Sequence, residues 1–182
     1  MNEEYFDILD ENGNKTGEKK LRKEVHRDGD WHKSIHIWII NDNNEILLQR
    51  RCATKDSYPN MLDISCAGHL TSGDDSITGA LRELKEELNL DISEEELEFI
   101  KTLKKPSKVT TGFINNEFND IYILRINKSI DDMKYQEEEI SEIMYIPYNE
   151  FREMVKKEDK ELVKHEEEYK ILFNILDEKN KS

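Results

Sequence analysis

The stretch GHLTSGDDSITGALRELKEELNL, residues 68–90, constrains this chain more than any other segment. An α-helix turns by about 100° per residue. Over residues 75–88 that rotation gathers Ile77, Ala80, Leu81, Leu84 and Leu88 into one arc, which must be buried, most simply against a sheet. Glu83, Glu86 and Glu87 occupy the adjacent arc at i, i+3 and i+4. Each like-charged pair at that spacing costs a few tenths of a kcal/mol on an exposed helix, and more where water is excluded. In isolation such a run is a solvated charged face, with Arg82 pairing Glu86 and Lys85 relieving the rest. A hard divalent cation reverses the sign, because Mg²⁺ takes carboxylate oxygens and shares its shell with substrate phosphates. The context points to the cation. Gly68 and Gly73 frame a loop that runs straight into the helix, and Asp74, Asp75 or Ser76 stands ready to cap its first turn.

The rest of the chain supplies the sheet. Alternating or β-branched runs predict strands at residues 5–9, 34–40, 45–49, 61–67, 99–103, 118–126 and 143–146, with turns at 11–14 and 41–44. Helices are expected at 21–26, 75–88, 148–156 and 160–177. A mixed sheet flanked by helices, of the α/β (α+β) class, accommodates this order. Within 61–67, strict alternation puts Leu62, Ile64 and Cys66 on one side and Asp63, Ser65 and Ala67 on the other, so Cys66 is expected in the core. The polar segment 104–116 is expected to shape a pocket or merely to join strands.

The helix and its loop resemble the Nudix signature: Gly, five residues, Glu, seven residues, then Arg-Glu-aliphatic-x-Glu-Glu-x-Gly-aliphatic. Here Gly68 is followed by Asp74, and then by Arg82-Glu83-Leu84-Lys85-Glu86-Glu87-Leu88-Asn89-Leu90. Asp74 stands for the first Glu. Asn89 stands for the Gly, and Asn tolerates the left-handed turn a helix stop needs. Residues 32–147 read like a complete Nudix core. The opening (Phe6, Asp7, Ile8, Gly17, Arg22, His26, Arg27, Asp28, Gly29, His32) resembles the subgroup related to isopentenyl-diphosphate isomerase. The resemblance implies a Nudix-type α/β/α sandwich over 32–158, a hairpin and short helix at 1–31 packed on it, and a C-terminal helix at 159–182. It implies a cation, Mg²⁺ or alternatively Mn²⁺, held by Glu83, Glu86, Glu87 and the Gly68 carbonyl, with Arg82 orienting a carboxylate. The substrate it implies is a small molecule with a diphosphate linkage. Glu86, Glu87 or Glu139 would serve as base, and Arg51 and Lys55 match a diphosphate-contacting loop.

Two other readings stand beside hydrolysis. The isomerases bind a metal through three histidines and two glutamates; His69, His32 and Glu117 match such positions, while Asn115 stands where the second Glu would be. His69 and Glu117 are accordingly expected on the substrate side. The isomerases also need a cysteine directly before the Gly-His pair, whereas here Ala67 holds that slot and Cys66 lies one residue early. A silent nucleotide- or sugar-sensing module is the third reading. A net charge of −14, from 41 acidic and 27 basic residues, disfavours nucleic acid as a partner. No apolar run reaches the roughly 18 residues of a membrane helix. The acidic opening lacks a signal-peptide pattern, so a cytoplasmic monomer or homodimer is expected.

Overall fold

In the computed structural model, which describes residues 4–55, 57–110 and 112–179, a seven-stranded mixed sheet carries helices on both faces. Strand β3 (His32–Ile40) is the axis. It runs parallel to β8 (Phe113–Arg125), which pairs antiparallel with β7 (Leu97–Thr110). On its other edge β3 meets β6 (Cys66–His69), while β4 (Glu45–Arg51) pairs with β5 (Leu62–Asp63) and β9 (Ile140–Pro147).

The hairpin joining β3 to β4 keeps only the pair Ile40–Ile46 before the strands part. Ser65, fully buried, fills the gap: its hydroxyl accepts from the Ile39 amide at 2.8 Å and donates to the Leu47 carbonyl. The diverging strands open the sheet into a cleft.

Alternation along β3 feeds two cores. Ile35, Ile37 and Ile39 face helix α2 (Ser76–Leu88) through Ala80, Leu84 and Leu88. Trp38 and Ile40 face helices α3 (Tyr148–Lys156) and α4 (Glu166–Lys179) through Phe151, Leu172 and Leu176. Strands β1 (Tyr5–Leu9) and β2 (Lys15–Leu21) form a separate hairpin, followed by the short helix α1 (Arg22–Asp28). Asp7 on β1 accepts from Ser72 Oγ at 2.6 Å and from the Gly73 amide, tying the hairpin to the loop before α2.

Two expectations are corrected and a third is decided. The strand at 61–67 is two short strands on different neighbours, because the chain must cross from β4 to β3; Leu62 and Ile64 therefore fill the α3/α4 core while Cys66 fills the α2 core. Segment 104–116 shapes a pocket, as one of its two expectations had it: apart from residue 111, which lies outside the described residues, it is the far end of the β7–β8 hairpin, and its Lys105, Pro106, Phe113 and Asn115 line the cleft. The last helix begins at Glu166 rather than 160. Residues 161–163 run alongside Leu62, with Leu62 N–H to the Glu161 carbonyl at 2.7 Å and Val163 N–H to the Leu62 carbonyl at 2.9 Å. Residues 1–3 and 180–182 of the expected flanking units lie outside the described residues.

Candidate active site

Helix α2 is held at both ends. Asp75 accepts from the Thr78 amide at 2.8 Å, and Asn89 closes the helix in the left-handed conformation (φ 51°, ψ 39°), with Leu90 N–H reaching the Leu84 carbonyl at 3.0 Å. These ends fix which glutamates face inward. Glu83 and Glu87 are buried, whereas the Glu86 side chain keeps 56% of its surface exposed. The three carboxylates are thus unequal: two lie under the sheet edge and one lies on the rim.

Arg82 gathers them. Its Nη1 sits 2.8 Å from Glu83 Oε1 and 3.2 Å from Glu86 Oε2, its Nε 3.5 Å from Asp74 Oδ2, and its Nη2 donates to the His69 carbonyl at 3.1 Å. Thr71 Oγ1 secures Asp74 at 2.7 Å. Gly68 is a steric requirement here. A Cβ on it would lie 2.2 Å from Glu83 Cδ, so only glycine lets the β6 backbone ride over that carboxylate.

Burial drives the Glu87 carboxyl up to about 7, with the charge of Glu83 adding to it, and burial likewise raises Glu83. Glu87 Oε2 is buried without a hydrogen-bond partner among the described residues. An orphaned carboxylate oxygen beside a second buried carboxylate is what a hard divalent cation would satisfy, so the donor set fits one.

The cleft over this helix encloses about 750 Å³. On one flank, Arg51 spends three N–H groups internally, on the Ser57 carbonyl (2.9 Å), Ser57 Oγ (3.1 Å) and Asp63 Oδ2 (3.0 Å), and so anchors the loop after β4. Two of its donors remain for a ligand. Lys55, on that loop, is ion-paired with Glu139. On another flank, His26, His32 and His69 bring three ring nitrogens within 4.8 Å of one another, and Phe6 stacks on His32 and His69. Burial, then the neighbouring His69, lowers His26 and His32 to about 4, and their Nε2 atoms have no hydrogen-bond partner among the described residues. Glu117 Oε1 lies 3.2 Å from His69 Nε2 and 3.9 Å from His32 Nε2. Although burial opposes it, the hydrogen bond from His69 holds the Glu117 carboxyl down at about 2. His69 and Glu117 therefore meet each other within the histidine cluster.

Cys66 is fully buried against α2; burial, and then the charges of Glu87 and Glu83, push its thiol up. Ala67, at the next position, lines the cleft. Sequence reasoning missed Ser34, Asp63, Asn119 and His165, which also line the cleft, and Glu168, buried behind them against His36. Ser34 left a signal, since Ser34 and His36 are polar at alternate positions of β3 while Ile35, Ile37 and Ile39 between and beyond them are apolar. Glu168, 132 residues from its partner His36, left none.

An acidic helix packed beneath the split edge of a mixed sheet, with a glycine seated over a carboxylate, defines a class of α/β protein whose buried carboxylates suit a divalent cation. The NUDIX domain family model matches residues 30–165, and the chain belongs to the Nudix hydrolase family. It is 43% identical over 182 residues to Nudix hydrolase 3 of Arabidopsis thaliana, covering 97% of this chain but 24% of that protein's length. An uncharacterized Nudix hydrolase of Clostridium acetobutylicum is 38% identical over 153 residues, 82% of this chain and 73% of its own. An isopentenyl-diphosphate isomerase of Pectobacterium atrosepticum is 29% identical over 115 residues, 63% of this chain and 62% of its own. Among solved structures, a Deinococcus radiodurans protein superposes with a TM-score of 0.68 at 20% identity, covering 94% of this chain and 98% of that one. A Francisella tularensis NMN adenylyltransferase/ADP-ribose pyrophosphatase complexed with AMP and a Mn ion gives 0.57 at 14% identity, covering 80% and 41%.

Proposed function

We propose that this chain hydrolyses a diphosphate linkage in a nucleoside diphosphate derivative or a similar small phosphorylated metabolite, with Mg²⁺ as its cation. The observation that carries the reading is the buried pair Glu83 and Glu87, one oxygen of it orphaned, set on the wall of a 750 Å³ cleft. Glu83, Glu86 and Glu87, with the Gly68 carbonyl, would hold the ion. When bound, it neutralises charge on the diphosphate oxygens and polarises a water.

The chain's own residues do the rest. Arg82 holds Glu83 and Glu86 at fixed separation, so the acidic wall is set before substrate arrives. The two remaining donors of Arg51, and Lys55, face a diphosphate. The proton acceptor is one of Glu86, Glu87 and Glu139, of which Glu86 is paired with Arg82 and Glu139 with Lys55. His69 and Glu117 stay on the substrate side, and the three-histidine cluster with Glu117 offers donors for a second, softer cation. The compartment we assign is the cytoplasm. Among the described residues no helix is long and apolar enough to cross a membrane.

The isomerase reading meets a specific obstacle. Cys66 is sealed in the α2 core with its thiol held protonated, and Ala67 occupies the cleft-facing position. Phosphate release from a panel of nucleoside diphosphate derivatives, assayed with Mg²⁺, tests the proposal. Turnover lost in Glu87→Gln supports it. Conversion of isopentenyl to dimethylallyl diphosphate, or tight binding with no turnover, would overturn it in favour of the isomerase or the sensor.

A further inference from the structure

Three large apolar side chains are exposed among the described residues: Tyr5, Tyr58 and Phe99. Two of them have partners. Lys19 Nζ lies over the Tyr5 ring at 5.6 Å, and Phe99 meets Tyr122 edge to face. Tyr58, 42% exposed, has neither a ring nor a cation against its face among the described residues. Of the three it alone lines the cleft.

Its backbone runs against its own preference. Tyr58 has a φ of 50°, which crowds the Cβ of a bulky residue, and Pro59 favours negative φ and extended backbone in the residue ahead of it. Asn60, just beyond, has a φ of 63°, a value that Asn tolerates. Glycine would relieve position 58 in the same way; tyrosine does not. The loop is nevertheless locked. Arg51 holds Ser57 by its carbonyl and its hydroxyl, and is itself tied to Asp63. Met61 N–H reaches the Tyr58 carbonyl at 3.3 Å, Asn60 N–H the Arg51 carbonyl at 3.1 Å, and Arg50 Nη1 the Asn60 carbonyl at 3.0 Å. No packing of the Tyr58 ring within the described residues offsets this strain. A bulky ring pinned in a disfavoured conformation, with its face open to a cleft, is what a surface held ready for a ligand looks like.

An exposed aromatic face takes a flat partner. Rings stack offset on one another, and a nucleobase offers a π face whatever its hydrogen-bonding edge. Lys55 lies on the same short loop and Arg51 at its foot, so the groups assigned to the diphosphate and the open ring are carried together. We propose that Tyr58 is the stacking platform for a planar ring in the organic group of the substrate, and that the loop keeps it strained for that purpose. Tyr58 is thereby a specificity-determining residue, which separates diphosphates that carry such a ring from those that do not. The inference rests on the diphosphate reading above.

The test uses the full chain, with ADP-ribose turnover in Mg²⁺ and calorimetric binding of ADP and of inorganic pyrophosphate in Ca²⁺. Tyr58→Ala should raise KM for ADP-ribose and weaken ADP by about tenfold or more, with kcat moving less than KM and pyrophosphate affinity held within about twofold. Tyr58→Trp should bind ADP at least as tightly as the unaltered protein. Tyr58→Gly, which relieves the positive φ, should lose affinity as Tyr58→Ala does and yet melt roughly 2–4 °C higher. It carries the test if circular dichroism shows that Tyr58→Ala is unfolded. A merely structural tyrosine would not move stability and affinity in opposite directions. Equal losses for ADP and pyrophosphate, unchanged ADP binding in Tyr58→Ala, or a lower melting temperature in Tyr58→Gly would overturn the proposal and leave diphosphate hydrolysis standing. So would ADP bound no more tightly than pyrophosphate by the unaltered protein. Failure of that protein to bind either probe or to turn over ADP-ribose overturns both.

Discussion

Replacing Glu87 by Gln should make the protein more stable and inactive at once. In the folded chain without cation, burial and then Glu83 hold Glu87 at about 7, against an ordinary value of 4.5. A raised carboxyl means that the folded state keeps its proton longer than the unfolded state does. Below pH 4.5 both states are protonated and nothing is lost. Between pH 4.5 and 7 stability falls as pH rises, and above 7 the full penalty is present. At about 1.4 kcal/mol for each tenfold change in a protonation equilibrium, that penalty is roughly 3 kcal/mol. Glutamine keeps the shape and carries no charge. With EDTA at pH 8, Glu87→Gln should therefore gain roughly 3 kcal/mol in urea unfolding, equivalent to a rise of roughly 6–12 °C in Tm. At pH 4.5 the gain should vanish. Added Mg²⁺ should stabilise the unaltered protein and narrow the difference, since the ion binds the folded carboxylate alone. A variant less stable than its parent at pH 8 in EDTA, or one equally stabilised by Mg²⁺, would refute the placement of Glu87 as a buried, cation-seeking carboxylate.

Other outcomes follow from the same geometry. Gly68→Ala forces a Cβ to within 2.2 Å of Glu83 Cδ, so turnover should fall by about a hundredfold or more with far-ultraviolet circular dichroism unchanged. Ser65→Ala removes the hydroxyl that bridges the Ile39 amide and the Leu47 carbonyl; urea unfolding should show a loss of about 2 kcal/mol. His165 is raised to about 9, burial being outweighed by Asp63 and Glu168. Its stabilisation is complete below its ordinary 6.5 and is lost as pH climbs through 9. The stability gap between the unaltered protein and His165→Gln should accordingly shrink by about 3 kcal/mol between pH 6.5 and 10, and a constant gap would contradict the ion pairs drawn for it.

Local chemistry makes much of this molecule legible in its sequence. Helix α2, its Asp75 and Asn89 ends, the strands at 5–9 and 45–49 and the flanking turns follow from periodicity and from backbone preference, which act over a few residues. The α/β class follows from their order. What reading along the chain could not supply was the inequality of the three glutamates. Helical rotation puts Glu83, Glu86 and Glu87 in one arc, but only the sheet edge over Gly68 decides that two are buried and one stays wet.

The break in 61–67 was invisible for a related reason. Alternation tells which residues share a face of one strand, but it does not tell that the chain leaves β4 for β3 midway and exchanges faces. Glu168 is the limiting case. An acid in a charged helix looks like any solvated glutamate until α4 lays it on His36, because burial and partner choice are properties of packing across 132 residues and not of the segment that carries them.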